Sequence, residues 1–377
     1  MGGIPLGKAI FVKDMVKWYG KEVLALNKIS FEVDEGEFFV VIGPSGCGKS
    51  TLMRILAGIL DFDSGELYIQ GQNMKGVPPH KRDLSLMLET YAVFPHMNVF
   101  NNIAFGLRMT GKDKEYIKRK VKEALELVEM SGFENRSPLE LSGGQRQRVA
   151  LARSLVIEPS VLLLDEPISH VDYMLQRKLM EDFKILHKKL GITFILTTHV
   201  QEHALTLADR MVVMNTGVIE QIGTPDEVYR TPKTVFAARF VGDINLLPGK
   251  VVSKEEKGYI VKTEVGEFRS GLNGADLVGK KLAYAIRPEF IKVDDDAKAC
   301  ENKFKGKLVR LYYFGNYVEC VFAKDKVEVK AAVPAEQAIK LRLDKKYMIG
   351  WSSDESMLIE RPSVIEGLNI EEVIYGK

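Results

Sequence analysis

The stretch GPSGCGKST, Gly43–Thr51, follows the apolar run Phe38–Ile42 and leads into TLMRILAGIL, which begins at Thr51. The β-branched and aromatic run predicts a buried strand, and the apolar spacing after the glycines predicts a helix. Glycines allow the backbone N–H groups between them to wrap around an anion at the positive end of the helix dipole. The complete G-x-x-x-x-G-K-[ST] pattern in this context predicts a phosphate-binding loop.

The side chains of this loop have separate expected tasks. Lys49 places a positive charge near the β- and γ-phosphates of a nucleotide, and Ser50 offers an oxygen to Mg²⁺. Cys47 is either a small residue that fits the loop or a thiol made reactive by the helix N-terminus. The predicted ATP-binding residues of the loop are Gly43, Ser45, Gly46, Cys47, Gly48, Lys49, Ser50 and Thr51.

An acidic pair follows a second apolar run, in the stretch SVLLLDEP. The continuous run from Val161 to Leu164 is typical of a central parallel strand. Asp165 at its end is a candidate for holding Mg²⁺, and Glu166 is a candidate for polarising an attacking water. Two surface acids at a strand end would look the same in isolation, but beside a phosphate loop they predict nucleotide hydrolysis.

The stretch LSGGQRQRVALARSL offers a second anion cradle at Ser142, Gly143, Gly144 and Gln145, before a second predicted helix. One γ-phosphate does not need two cradles from one chain. We therefore predict that this cradle closes on the nucleotide of a second copy, in a two-fold symmetric dimer. The alternative is an ordinary serine N-cap, which leaves two helix-weakening glycines unexplained.

Together these motifs resemble the ATP-binding subunits of ABC transporters, in the right order from about residue 10 to about residue 247. The resemblance implies that Gly43–Thr51 is the Walker A loop. It implies that Leu162–Glu166 is the end of Walker B and that Leu141–Gln145 is the signature sequence.

Three further assignments rest on the resemblance alone. Tyr19 in VKWYG matches the aromatic residue that stacks on adenine, although one aromatic before a strand is usually core. Ser169–Asp172 matches the D-loop that crosses the dimer interface. His199 in LTTHV matches the switch histidine at the γ-phosphate, so we predict Glu166 and His199 as the catalytic pair.

Three positions depart from the family pattern. Glu89 stands where glutamine is usual, and we predict it as a ligand of Mg²⁺ with Ser50 and Asp165. A carboxylate binds Mg²⁺ more strongly than an amide but adds negative charge near phosphates. His170 replaces a common asparagine, and Val200 replaces a common aspartate, which affects the fine tuning of catalysis.

Composition bounds the remaining choices. The chain has 377 residues, 46% apolar and 28% charged, with a net charge of +2, which suits two folded domains and counts against a nucleic-acid partner. Three cysteines make no disulfide framework and favour a reducing compartment. No secretory signal and no apolar stretch of about 20 residues is present, so we expect any membrane role to come through partners.

We predict an α/β P-loop NTPase core with a helical insert, followed by a small all-β OB-like barrel. The predicted cassette is residues 1–245, with a core of 1–88 and 160–245 and a helical subdomain of 89–159. Within that subdomain KEYIKRKVKEALELVEMSGF predicts an amphipathic helix, and the apolar linker TYAVFPHMNVFNNIAFGL is either buried packing or a groove for a permease helix. Short predicted strands after 246 indicate this barrel domain, 246–377. Within it, AIRPEFIKV resembles a run of the accessory domain of importer ATPases.

The resemblance implies an ATP-hydrolysing importer subunit that uses ATP and Mg²⁺ at the cytoplasmic face of the membrane. Its implied partners are a second copy, two permease subunits and, indirectly, an extracytoplasmic solute-binding protein. The run VGDINLLPG resembles polyamine or iron importer subunits more than the sugar type. We rank polyamine first as the cargo, then sugar, then oxyanion or ferric iron. Two other classes remain open: a soluble ABC ATPase of repair or translation, and a regulatory binder without hydrolysis.

Overall fold

The computed structural model describes residues 7–169, 172–271, 276–365, 370 and 374. The chain divides into two compact units, residues 1–225 and 226–377. The sequence-based boundary between residues 245 and 246 lies further along the chain and stays a prediction.

The first unit mixes strands and helices. Its strands are β1 Lys8–Tyr19, β2 Val23–Asp34, β3 Phe38–Ile42, β4 Ser64–Ile69, β5 Gln72–Asn73, β6 Leu84–Met87, β7 Val161–Asp165, β8 Thr193–Thr198, β9 Arg210–Asn215 and β10 Val218–Gly223. Its helices are α1 Lys49–Leu56, α2 Val99–Met109, α3 Lys114–Leu127, α4 Gly143–Leu155, α5 Tyr173–Leu190 and α6 Gln201–Leu207.

A six-stranded sheet in the order β10-β9-β3-β8-β7-β6 carries the predicted site. Its five strands from β9 to β6 run parallel, and β10 pairs antiparallel with β9 at one edge. Every residue of β3, β7 and β8 is buried, as the continuous apolar runs require. Because parallel strands end at one edge, the loops after β3, β7 and β8 come together there.

A second, antiparallel sheet in the order β2-β1-β4-β5 packs against the same core. Buried residues of β1 and β2, such as Met15 and Leu26, share one apolar cluster with Val41 of β3 and with Leu52 and Met53 of α1. This shared core fixes the phosphate loop and the first helix against both sheets.

The segment between β6 and β7 is mainly helical, with α2 and α3 each contacting α4. In α3 the predicted apolar face is confirmed, since Ile117, Val121, Ala124 and Leu125 are all buried. Asp113 begins this helix by accepting a hydrogen bond from the Tyr116 N–H at 2.9 Å.

The second unit is built mostly of strands. They are β11 Asn245–Glu255, β12 Gly258–Thr263, β13 Gly266–Ser270, β14 Lys281–Ile286, β15 Lys292–Val293, β16 Asn302–Tyr313, β17 Tyr317–Lys324, β18 Val327–Pro334, β19 Lys346–Trp351 and β20 Ser356–Ile359. Its helices are α7 Pro225–Arg230, α8 Val235–Phe240, α9 Asp295–Lys298 and α10 Ala335–Ala338.

These strands form two five-stranded antiparallel sheets, β13-β12-β11-β14-β20 and β15-β19-β16-β17-β18. Residues of both sheets share one apolar core around Phe268, Tyr284, Phe304 and Trp351. The short segment around Gly315 separates β16 from β17, while the OB-like barrel stays a prediction.

Arg287, in the AIRPEF run, is a fully buried side chain of this second unit. Its guanidinium donates to the carbonyls of Tyr229, Ala238, Gly242 and Asp243 and lies 4.0 Å from the centre of the Tyr229 ring. The motif therefore ties the segment around α7 and α8 to the strand β14.

Among the described residues, we find no helix with the length and apolar character that crossing a membrane requires.

Candidate active site

The phosphate loop connects the end of β3 to the start of α1. Gly48 precedes the helix with φ +108°, and a Cβ there would lie 2.6 Å from the carbonyl oxygen of Ala25. A Cβ on Gly43 would lie 2.4 Å from the carbonyl oxygen of Met214. Only glycine therefore fits these two positions, which leaves the loop backbone able to curl around an anion.

Lys49 lies across the loop with its side chain 5% exposed. Its ammonium donates to the carbonyls of Gly43 at 2.8 Å and Pro44 at 3.1 Å, and lies 3.5 Å from Glu166 Oε1. The ammonium is thus held between the loop and the acidic pair, where a bound phosphate chain would meet it.

Asp165 ends β7 beside the loop. Its Oδ1 accepts hydrogen bonds from Thr197 at 2.7 Å and from Ser50 at 3.4 Å. Burial raises the pKa of Asp165, the two hydroxyls offset part of that rise, and the charges of Glu166 and Glu89 add to it. A buried carboxylate crowded by negative charge favours a nearby cation.

The donor set around Asp165 fits Mg²⁺. Ser50, Asp165 and Glu89 offer only oxygen atoms, which this ion prefers. Within the described ranges no group of three or more His, Cys, Asp or Glu side chains is arranged to hold a metal. The protein oxygens would therefore complete a coordination sphere that phosphate and water oxygens largely supply.

Hydrogen bonds to its backbone and carboxylate hold Glu166 in place. Its backbone has φ +47°, in the left-handed region, and its N–H donates to Thr197 Oγ1 at 3.0 Å. Its Oε2 accepts from Ser169 at 2.9 Å and from His199 Nδ1 at 2.6 Å. Burial pushes the pKa of Glu166 upward, but the hydrogen bonds from Ser169 and His199, together with the charges of His199 and Lys49, bring it below its ordinary value. Glu166 is therefore ionised at neutral pH and can accept a proton.

One cavity of about 500 Å³ brings most predicted residues together. Those that line it are Tyr19, Ser45, Gly46, Gly48, Lys49, Ser50, Thr51, Glu89, Glu166 and His199. Gly43, Cys47 and Asp165 are buried and do not line it. Cys47 is 2% exposed and burial raises its pKa, which argues against a reactive thiol.

Tyr19 and Glu89 are exposed residues that line this cavity. Tyr19 is 41% exposed, and its hydroxyl lies 3.2 Å from Thr51 Oγ1. Glu89 is exposed. Their predicted roles toward adenine and Mg²⁺ stay predictions.

The signature residues do not join this cavity within one chain. Ser142 caps α4 by accepting from the Gln145 N–H at 3.2 Å, and Gln145 Oε1 accepts from the Ser142 N–H at 2.9 Å. Ser142 therefore acts as the N-cap of α4, as the alternative interpretation of this segment expects. Ser142 and Gly143 are nevertheless exposed. Exposed N–H groups at the start of a long helix are available to an anion brought by another molecule.

Sequence reasoning missed several residues of the site. Val23, Leu24 and Ala25 of β2 line the cavity, as do Thr216 and Gly217. The turn between β9 and β10 contacts the phosphate loop directly, since the Gly217 N–H donates to the Cys47 carbonyl at 3.0 Å. Only the order of strands in the sheets brings these segments together.

Two of the departures from the family pattern follow the catalytic strands. His170 lies outside the described residues. Val200 precedes α6 with no side-chain hydrogen bond to the helix, and its own N–H donates to Thr198 Oγ1 at 3.0 Å. Below it, His203 is buried, and burial lowers its pKa to about 4.

This arrangement defines a phosphate-loop nucleotide hydrolase, and comparison with known proteins agrees. The family model described as ABC transporter matches residues 26–169. The spermidine/putrescine import ATP-binding protein PotA of Trichormus variabilis is 43% identical, over 81% of this chain and 81% of its own length. Its namesake from Thermotoga maritima is 37% identical, over 94% of this chain and 99% of its own length.

A solved structure is also similar. The dimeric post-hydrolysis state of the ATP-binding cassette MJ0796, bound to ADP and Pi, aligns with a TM-score of 0.52 and 27% identity, over 57% of this chain and 98% of that one.

The chain belongs to the ABC transporter family of ATP-binding proteins. It is an ATPase subunit of an import complex, so the family, the ATPase activity and the importer class predicted from the sequence are confirmed.

Proposed function

We propose that this ATPase powers polyamine uptake through two permease subunits, to which an extracytoplasmic solute-binding protein delivers the polyamine. The cargo is supported by the relatives that share 37–43% of their residues with this chain, which are spermidine/putrescine import proteins. Sugar, oxyanion and ferric iron are the alternative cargoes. The subunit would work at the cytoplasmic face of the membrane.

The observation that carries the catalytic proposal is the single cavity shared by the phosphate loop and the Glu166–His199 pair. In it Lys49 and the loop N–H groups would bind the β- and γ-phosphates, and Tyr19 would stack on adenine. Ser50, Asp165 and Glu89 would hold Mg²⁺, which neutralises phosphate charge when bound.

Glu166 would accept the proton of the attacking water, because its carboxylate is ionised and fixed in direction by Ser169. His199 would stabilise the γ-phosphate. Its side chain is 46% exposed, so it can reach the nucleotide while its Nδ1 stays bonded to Glu166.

The second half of the nucleotide site would come from another copy. Ser142, Gly143, Gly144 and Gln145 lie outside the cavity of their own chain, and in a two-fold dimer they would close on the partner's nucleotide. Binding of ATP would close the dimer and hydrolysis would reopen it, which moves the permeases.

A permease helix would dock on the apolar linker before and within α2. Tyr91, Phe94, Met97 and Phe100 are half-buried there, and Phe105 is 37% exposed. The ring centres of Phe94 and Phe105 lie 4.9 Å apart, so together they offer an apolar surface for one face of an amphipathic helix. The C-terminal unit would be an OB-like accessory domain with a regulatory role.

The test is transport by the assembled complex. The ATPase, its permeases and its binding protein are reconstituted in liposomes. ATP hydrolysis is then measured after addition of spermidine, maltose, sulfate or ferric iron. We expect spermidine alone to stimulate hydrolysis and to enter the vesicles, and Glu166→Gln to abolish both. Stimulation by another cargo instead would overturn the polyamine assignment, and full activity of Glu166→Gln would overturn the catalytic one.

A further inference from the structure

A buried histidine with an unused nitrogen lies beneath the proposed catalytic pair. His203, in α6, is 2% exposed, and its Nδ1 lies 3.1 Å from Thr198 Oγ1. Its Nε2 is also buried and has no hydrogen-bond partner within the described part of the chain. A buried ring nitrogen without a partner destabilises the folded state, so its presence calls for an explanation.

The direction of the hydrogen bonds follows from the backbone. The Val200 N–H donates to Thr198 Oγ1 at 3.0 Å, so the hydrogen of the Thr198 hydroxyl is available for His203 Nδ1. A neutral imidazole that accepts at Nδ1 carries its proton on Nε2. Burial keeps the ring neutral at pH 7 because it lowers the pKa of His203 to about 4.

These contacts form a chain that runs from the Val200 N–H through the Thr198 hydroxyl to His203 Nδ1. The chain brackets His199, which lies between Thr198 and Val200 in sequence and bonds to Glu166 at 2.6 Å. It therefore fixes the backbone on both sides of His199, at the point where Val200 supplies no helix cap.

We propose that His203 is a positioning residue for hydrolysis: it orients the Thr198 hydroxyl, which holds the backbone around His199 and so sets His199 against Glu166. The inference rests on the proposed catalytic roles of Glu166 and His199. His203 does not line the nucleotide cavity, so it acts through Thr198 and touches no substrate.

A purely structural role does not account for His203. Burial lowers the pKa of the ring, and a leucine of similar volume would fill the same space without burying an unpaired N–H. Histidine is therefore expected to make the folded state less stable than leucine would. Unlike leucine, it provides a hydrogen-bond acceptor, Nδ1, for the Thr198 hydroxyl. Buried polar atoms without hydrogen-bond partners are the exception in folded proteins, and such exceptions are expected at functional sites.

The test compares His203→Leu with His203→Asn in the full-length protein. His203→Leu removes the acceptor, so we expect kcat for ATP to fall about five- to tenfold, the effect of one lost hydrogen bond on the barrier. We expect KM for ATP to change less than twofold and the unfolding midpoint not to fall. His203→Asn places an acceptor oxygen near the position of Nδ1, and we expect it to restore most of kcat.

Two further variants make the result specific. Thr198→Val breaks the same chain from the other side, so the Thr198→Val/His203→Leu double variant is expected to lose no more kcat than either single variant. His187→Leu is the matched control, because its Nε2 bonds the Gly36 carbonyl at 2.9 Å outside the cavity. It should lower stability without changing kcat.

An unchanged kcat in His203→Leu would overturn the proposal, as would a loss of kcat that His203→Asn fails to restore. Glu166→Gln measured in parallel separates this from a failure of the proposed function. If Glu166→Gln is inactive while His203→Leu is fully active, only the role of His203 is wrong.

Discussion

Thr197 joins the two carboxylates of the site, and replacing it with valine tests how they are held. The side chain is fully buried in β8. Its hydroxyl donates to Asp165 Oδ1 at 2.7 Å and accepts from the Glu166 N–H at 3.0 Å. Valine keeps the shape and removes both bonds.

The size of the effect follows from the two bonds. A hydrogen bond to a charged group contributes about 1.5–3 kcal/mol and a neutral one about 0.5–1.5 kcal/mol. We therefore expect Thr197→Val to lower the free energy of unfolding by about 2–4 kcal/mol. We also expect kcat to fall about tenfold, because Glu166 loses its backbone anchor.

The pH dependence has a defined sign. Burial raises the pKa of Asp165 in the folded protein, and the Thr197 hydroxyl offsets part of that rise. Without the hydroxyl the folded-state pKa climbs further, so the folded protein holds its proton more tightly than the unfolded chain. Stability is then lost as pH rises above about 4, the ordinary value for aspartate. The cost of Thr197→Val should therefore be larger at pH 8 than at pH 5.

The assay is urea unfolding at both pH values, with Thr193→Val as the matched control. Thr193 is buried in the same strand and accepts from the Gly36 N–H at 3.0 Å, with no carboxylate partner. The control should lose stability equally at pH 5 and pH 8 and keep its ATPase rate. If Thr197→Val behaves in the same way as this control, Asp165 is not held as described.

Three other outcomes are expected. Glu89→Gln removes a negative charge near the phosphates, so KM for ATP should fall about three- to tenfold while the Mg²⁺ concentration for half-maximal rate rises; unchanged values in an Mg²⁺ titration would remove Glu89 from the metal site. Arg287→Met removes the donor of hydrogen bonds to four backbone carbonyls, so the C-terminal unit should lose about 3 kcal/mol or more in thermal unfolding, and an unaltered melting curve would contradict this. Iodoacetamide should label Cys47 at least tenfold more slowly in the folded protein than in urea, because burial raises its pKa; equal labelling rates would show an exposed thiolate.

The sequence predicted those parts of the site in which one short segment contains all the residues of the motif. The strand, glycine loop and helix around Lys49 lie within twenty residues of each other, and Gly43 and Gly48 stand where a Cβ would collide with backbone oxygens. Asp165 and Glu166 follow their strand directly. In such segments periodicity and turn chemistry act locally, so they can be interpreted without the fold.

The parts that the sequence did not predict depend on which strands become neighbours. Thr197 supports Asp165 because β8 lies beside β7, and Gly217 contacts the loop because β9 lies beside β3. Pairing between strands also determines the antiparallel sheet of β1, β2, β4 and β5 and the two sheets of the C-terminal unit. Strand pairing is set by long-range packing, which composition and spacing do not encode one segment at a time.

The proposed mechanism requires each nucleotide to be bound by two copies of the chain, and sedimentation velocity of Glu166→Gln tests this directly. With hydrolysis blocked and Mg-ATP saturating, we predict a dimer carrying two ATP molecules, which Ser142→Arg converts back to monomer by blocking the exposed start of α4. A Glu166→Gln protein that binds one ATP per chain and sediments as a monomer would show that two copies do not share the nucleotide.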